Sequence, residues 1–186
     1  MAGKHAKKSA LGAFLEFVVI VAMAAVIAWV VVTFVVQPYE IPSESMTDTI
    51  EVGDRVLSEK VSYHFEDPKQ GDIITFHDVE DYDRILIKRV IAVGGQTVDL
   101  KNGDVYVDGE KLDESYTEGK PSYPLESETG EDIQYPYTVP EGEVWVMGDN
   151  RTNSMDSRAF GSVPVSNITG HAVVRYWPLD RIGSLD

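Results

Sequence analysis

Residues 84–95 read RILIKRVIAVGG. From Ile85 to Val93 the run is apolar except for Lys88 and Arg89, it is rich in β-branched residues, and Gly94-Gly95 closes it. That length and composition predict a buried strand rather than a helix. Side chains alternate along a strand, so Leu86, Lys88, Val90 and Ala92 are expected on one face, which surrounds a lysine with apolar neighbours. An edge-strand lysine that snorkels to water is the ordinary alternative.

Segments of the same character flank this one: Arg55–Leu57, Asp72–Phe76, Val105–Val107, Val144–Met147 and Val173–Trp177. Asn102-Gly103 and Asp108-Gly109 bracket Val105–Val107, and such pairs supply the positive φ angles of tight hairpins. No convincing helical stripe follows Gln37, so the fold class is mainly β. Between Leu112 and Thr138 the chain is acidic and broken by glycine and proline, which predicts an extended, partly mobile surface excursion. The acidic run Asp78, Glu80, Asp81, Asp83 lacks the glycine and terminal glutamate of an EF-hand loop and reads as a solvated hairpin tip.

Before the β region, Phe17 to Val36 is FVVIVAMAAVIAWVVVTFVV, twenty residues without a charge. A helix of that length spans about 30 Å, the thickness of the hydrocarbon layer of a bilayer. It is too long for the apolar core of a cleavable signal peptide, and Ala22-Met23-Ala24 falls in its middle. The expected division is therefore a cytoplasmic segment 1–16, a transmembrane anchor 17–36 and an extracytoplasmic domain 37–186. Lys4, Lys7 and Lys8 before the span set that orientation, with the N-terminus cytoplasmic in a single-pass membrane protein.

The whole chain of 186 residues carries 31 Asp and Glu against 16 Lys and Arg, and no cysteine. The first 36 residues hold three Lys and one Glu, which leaves 13 basic and 30 acidic residues, or -17, in the remaining 150. Such a domain is no nucleic-acid partner, and an anionic bilayer repels it beyond its anchor. Absence of cysteine excludes disulfides, thiolate metal sites and a cysteine nucleophile.

Pro42-Ser43-Glu44-Ser45-Met46 follows the apolar span at once, nine residue steps after Val36. Fully extended, that tether holds Ser45 within roughly 30 Å of the bilayer. A third segment, GDNRTNSMDSR at 148–158, is a dense polar loop on the apolar strand Val144–Met147. Polar loops carried by rigid strands are where binding residues concentrate.

PSESM at 42–46, RILIKRVIAVGG at 84–95 and GDNRTNSMDSR at 148–158, in that order behind an apolar anchor, resemble the type I signal peptidases. These are membrane-anchored serine proteases with a Ser-Lys dyad and a mostly β catalytic domain. Asp48 departs from the family, which often has proline or threonine there. The resemblance implies Ser45 as nucleophile and Lys88 as general base, with Ser154 helping to hold the amine. It implies an oxyanion hole from the Ser43 hydroxyl and the Ser45 N–H, and a supporting charged group of Asp156, Arg158, Asp149 and Arg89. It places Ile41, Pro42, Met46 and Ile87 at shallow pockets for small side chains. Its substrates are secretory preproteins cut after small-x-small sites such as Ala-x-Ala, and its chemistry needs no metal or cofactor.

Physics makes one demand of that assignment. Free lysine titrates near 10.4, so a base active near neutrality needs its pKa lowered by about 3 units. Leu86, Ile87 and Val90 are the apolar walls expected to desolvate it. A histidine base would have to come from His64, His77 or His171, of which His77 is best placed, but no GxSxG turn accompanies them. No HExxH is present for a metalloprotease. Two other readings stand beside the peptidase: a self-cleaving repressor-type Ser-Lys protease, and a surface module in which Ser45 and Lys88 are incidental. Tyr39, Ile41, Trp177 and Pro178 are candidates either for lipid contact or for the core.

Overall fold

The computed structural model describes residues 10–126 and 132–185. The chain divides into two compact units, Met1–Val36 and Gln37–Asp186. The first contains helix α1, Ala10–Phe34, whose side chains from Leu11 onward are exposed and which is long and apolar enough to cross a membrane. It begins seven residues before the expected Phe17, because Leu11, Ala13, Leu15 and Glu16 are good helix formers that carry the helix past the uncharged run. The expected segment 1–16 lies outside the described residues up to Ser9, including all three of its lysines.

The second unit is mainly β. In chain order its strands are β1 Val36–Glu40, β2 Arg55–Glu59, β3 Ile73–His77, β4 Ile85–Val93, β5 Thr97–Lys101, β6 Asp104–Val107, β7 Glu110–Lys111, β8 Tyr137–Thr138 and β9 Glu143–Met147. The short helix α2, Ser157–Phe160, precedes β10 Val163–Pro164, β11 Ile168–Trp177 and β12 Gly183–Ser184. One sheet has the order β1-β2-β11-β3-β4-β9-β10, with β12 paired to β11; a smaller one has the order β7-β6-β5-β8. Each expected strand is present, and Ile85–Val93 has the expected bounds. The hairpin turns form as their residues require: Asn102 and Asp108 take φ of 56° and 53°, each followed by a glycine with positive φ.

β4 is the spine of this unit. Ile87 joins the cluster around Ile41, Met46 and Ile73; Val90 joins Ile74, Phe76 and Val146; Ile91 joins Trp145 and Met147. Leu86 and Val90 share a cluster, as alternation requires, but Ala92 packs with Ile91 in another. The β4–β9 register shifts between Val90 and Ala92, and that irregularity turns Ala92 away from the face that carries Lys88. Two further expectations change. Asp78, assigned to a solvated tip, is 1% exposed and ion-paired with Arg84. The stretch after Leu112 is no loose excursion, since Thr117 and Ser122 are buried and its polar groups bond to the site loops; residues 127–131 lie outside the described residues.

Candidate active site

Ser45 sits in a series of turns between β1 and β2. Met46 anchors it from below: its side chain is fully buried with Ile41, Ile50 and Ile87. The Ile50 N–H donates to the Met46 carbonyl at 2.8 Å, and the Ile41 N–H to the Asp54 carbonyl at 2.9 Å, so both ends of the turn are tied down. The polar loop grips it from the side. The Asn150 N–H donates to the Ser45 carbonyl at 3.1 Å, and Asn150 Nδ2 to the Glu44 carbonyl at 3.0 Å. Asn153 Nδ2 reaches the Glu44 carboxylate at 3.0 Å.

β4 delivers Lys88 to this turn. Its Nζ lies 2.8 Å from Ser45 Oγ and 3.0 Å from the Ile87 carbonyl, and the residue is 3% exposed against 8% for Ser45. Burial pushes the lysine pKa down to about 8; Asp156 opposes that shift, and Arg84 adds to it. As an ammonium, Lys88 donates to the serine oxygen. Once neutral, it can accept the serine proton across the same contact.

A cleft of about 480 Å³ opens over the pair, lined by Pro42, Ser43, Leu86, Ile87, Met155 and Phe160 among others. Ser43 Oγ is 3.4 Å from Ser45 Oγ. Of the four residues expected at substrate pockets, Pro42 and Ile87 line this cleft. Ile41 and Met46 do not; they are core residues, because the turn that brings Ser45 to the cleft buries the apolar side chains on either side of it. That also removes Ile41 from the candidates for lipid contact, whereas Trp177 is exposed and Tyr39 half-buried against the core. Leu86 and Ile87 wall the cleft as expected, while Val90 is buried beyond it.

Ser154 Oγ is buried and has no hydrogen-bond partner among the described residues, and Lys88 Nζ bonds to Ser45 and Ile87 instead. The serine nevertheless lies against Gly148, beside the Ser45 carbonyl. The four charged residues of the expected support form two buried pairs. Arg89 donates to both Asp149 oxygens at 2.9 and 2.7 Å, and Thr49 Oγ1 donates to the same carboxylate at 2.5 Å. Arg158 donates to both Asp156 oxygens at 2.8 and 2.9 Å, while Asp156 also accepts from the Gly148 N–H at 3.0 Å. Fork-to-carboxylate pairs of this kind fix orientation as well as charge. Asp156 further caps α2 by accepting from the Arg158 N–H.

Sequence reasoning missed three partners. Arg151, fully buried, is ion-paired with Glu114; Tyr116 packs its ring 4.1 Å from the Arg89 guanidinium; and Asp48 is ion-paired with Lys120. Asp48, the departure from the family pattern, therefore has a partner of its own in the stretch after Leu112. Among the described residues, no histidine lines the cleft. His77 Nδ1 lies 2.6 Å from the Tyr82 carbonyl, its ring stacks on Tyr82, and neither His64 nor His171 lines the cleft.

A mostly β domain that buries a lysine amine 2.8 Å from a serine hydroxyl has the arrangement that a Ser-Lys serine peptidase requires. Residues 14–177 match the family described as Signal peptidase, peptidase S26, and the chain belongs to that family. It is 46% identical over 177 residues to "Probable signal peptidase I-1" of Synechocystis sp., covering 91% of this chain and 86% of that one. It is 42% identical to signal peptidase I of Leptolyngbya laminosa, covering 92% and 83%, and 39% identical to that of Mycobacterium tuberculosis, covering 97% and 77%. Among solved structures, signal peptidase I from Enterococcus faecalis V583 matches at 34% identity and a TM-score of 0.47, covering 57% of this chain and 97% of that one.

Proposed function

We propose that this chain removes signal peptides from secretory preproteins, with Ser45 as nucleophile and neutral Lys88 as general base. One observation carries the mechanism: the amine is buried at 2.8 Å from the hydroxyl. Lys88 takes the Ser45 proton as Oγ bonds to the scissile carbonyl carbon. The resulting oxyanion is held by the Ser45 N–H and the Ser43 hydroxyl. Collapse breaks the C–N bond, and the Lys88 ammonium returns its proton to the departing amine. Water, deprotonated by the same lysine, then hydrolyses the acyl ester and regenerates the serine. No third residue is needed to orient the base, because an amine has no tautomers to choose between.

An extended substrate suits the cleft. β9 pairs with β4 only from Arg89 to Val93, so on that side the Ile85–Ile87 edge lies outside the ladder, along the cleft. A peptide added there would bind through backbone hydrogen bonds, leaving selection to its alternate side chains and hence to small-x-small sites such as Ala-x-Ala. The apolar helix α1 serves as anchor in the bilayer, with Lys4, Lys7 and Lys8 on the cytoplasmic side and the catalytic domain outside.

Hydrolysis of an Ala-x-Ala peptide by the full chain in detergent tests this reading. Ser45→Ala should abolish cleavage, while His77→Ala should keep wild-type turnover; the reverse pattern would reject the Ser-Lys assignment. The pH profile is a second check. The working form of Lys88 is neutral, so kcat/KM should rise with pH through a midpoint near the lysine pKa of about 8. A rate already constant from pH 6 upward would contradict a lysine base.

A further inference from the structure

The stretch after Leu112 touches all three segments of the site. Glu114 is ion-paired with Arg151, and Arg151 Nε in turn donates to the Gly148 carbonyl at 3.1 Å. Gly148 leaves no room on its other side: a Cβ there would lie 2.4 Å from the Ser45 carbonyl oxygen and 2.2 Å from Ser154 Oγ. Tyr116 donates its hydroxyl to Glu114 at 3.1 Å and holds its ring 4.1 Å from the Arg89 guanidinium and 5.8 Å from that of Arg151. Ser122 Oγ accepts from Arg151 at 2.7 Å, and Lys120 pairs with Asp48 on the nucleophile turn.

These contacts form a chain with a direction. Arg151 is fully buried, and an unpaired buried guanidinium is costly, so it stays only while Glu114 neutralises it. Its position sets the Gly148 carbonyl, and Gly148 packs directly on the backbone of the nucleophile. A buried polar network with every member satisfied is rigid, and removing the charge of one partner loosens the rest.

We propose that Glu114 is a positioning residue for the Ser45–Lys88 pair, acting through Arg151 and Gly148. It touches neither substrate nor reacting atoms. This inference rests on the Ser-Lys reading above. Glu114→Gln keeps the shape of the side chain and removes the charge. The Arg151 guanidinium then loosens its hold on Gly148, the Ser45 turn shifts, and water reaches the Lys88 amine. A shift well under 1 Å is enough to slow the chemical step by about tenfold. Hydration of the amine moves its titration upward, toward that of free lysine.

The test uses the full chain in detergent, wild type, Glu114→Gln, Glu114→Asp and Asp113→Asn. Asp113 is the exposed neighbour and controls for charge alone. Hydrolysis of an Ala-x-Ala peptide is measured well below each melting temperature, and Lys88 is titrated by NMR on lysines carrying ¹³C at Cε. In Glu114→Gln, kcat should fall about tenfold at unchanged KM. Its Lys88 titration should move up by about half a unit or more, and Glu114→Asp should recover part of both. A Lys88 titration in Glu114→Gln identical to that of Asp113→Asn overturns the inference, as does an unchanged kcat in an active enzyme. If the wild type does not cleave the peptide, the functional reading fails while the titration alone still decides the role of Glu114.

Discussion

Lys88→Met should lose about 10³-fold or more in kcat/KM against an Ala-x-Ala peptide, yet unfold at higher denaturant concentration than the wild type at pH 7. The two effects have one cause. Burial lowers the lysine pKa from 10.5 to about 8 in the folded protein. The sign follows from proton binding. Between pH 8 and 10.5 the unfolded chain holds more protons on this group than the folded one, so wild-type stability rises with pH across that window. Below pH 8 both states are protonated and the whole penalty is present, roughly 3 kcal/mol at 1.36 kcal/mol per unit. Methionine fills similar space without a charge. It removes the nearest partner of the Ser45 hydroxyl, which costs about 1 kcal/mol, so a net gain of about 2 kcal/mol is expected at pH 7, shrinking as the pH is raised toward 10. Urea unfolding at pH 6.5, 8 and 9.5 measures it. A variant less stable than the wild type at neutral pH would show that Lys88 is held by favourable charge interactions instead of being desolvated, and retained hydrolysis would remove it as the base.

That coupling of function to instability explains which parts of the site the sequence announced. A lysine inside Ile85–Val93 breaks an apolar pattern, and a break without local compensation is visible in one dimension. The hairpins were legible for a similar reason, because Asn-Gly and Asp-Gly answer a purely local demand for positive φ. Ion pairs across the fold leave no such mark. Glu114 and Arg151 are 37 residues apart, and each looks like an ordinary polar residue in a polar segment until the fold brings them together. Asp78 misled for the same reason, since an acidic run predicts solvent and gives no sign that Arg84 covers one of its members. Ile41 and Met46 lie close to Ser45 in the sequence and so look like pocket walls. The turn geometry that lifts Ser45 into the cleft drives those two side chains into the core beneath it.

Gly148→Ala tests how tightly that geometry is held, through a purely steric change. The residue needs space rather than an unusual backbone angle: the added Cβ would lie 2.4 Å from the Ser45 carbonyl oxygen, 2.2 Å from Ser154 Oγ and 2.6 Å from Ser154 Cβ. The serine side chain could swing away, but the carbonyl cannot move freely. It accepts from the Asn150 N–H at 3.1 Å, and the Gly148 N–H is itself tied to Asp156 at 3.0 Å. Relief must come from displacing the nucleophile turn, for which we expect a loss of about 2–3 kcal/mol in stability and about 10²-fold in kcat. Gly183→Ala, with nothing within 4 Å of the added carbon, should change neither. Combining Gly148→Ala with Ser154→Gly separates the two clashes. It clears the side chain while leaving the carbonyl, so part of the melting temperature should return without the activity. Full recovery of hydrolysis in that double variant would mean that Ser154, and not the backbone of Ser45, is what Gly148 makes room for.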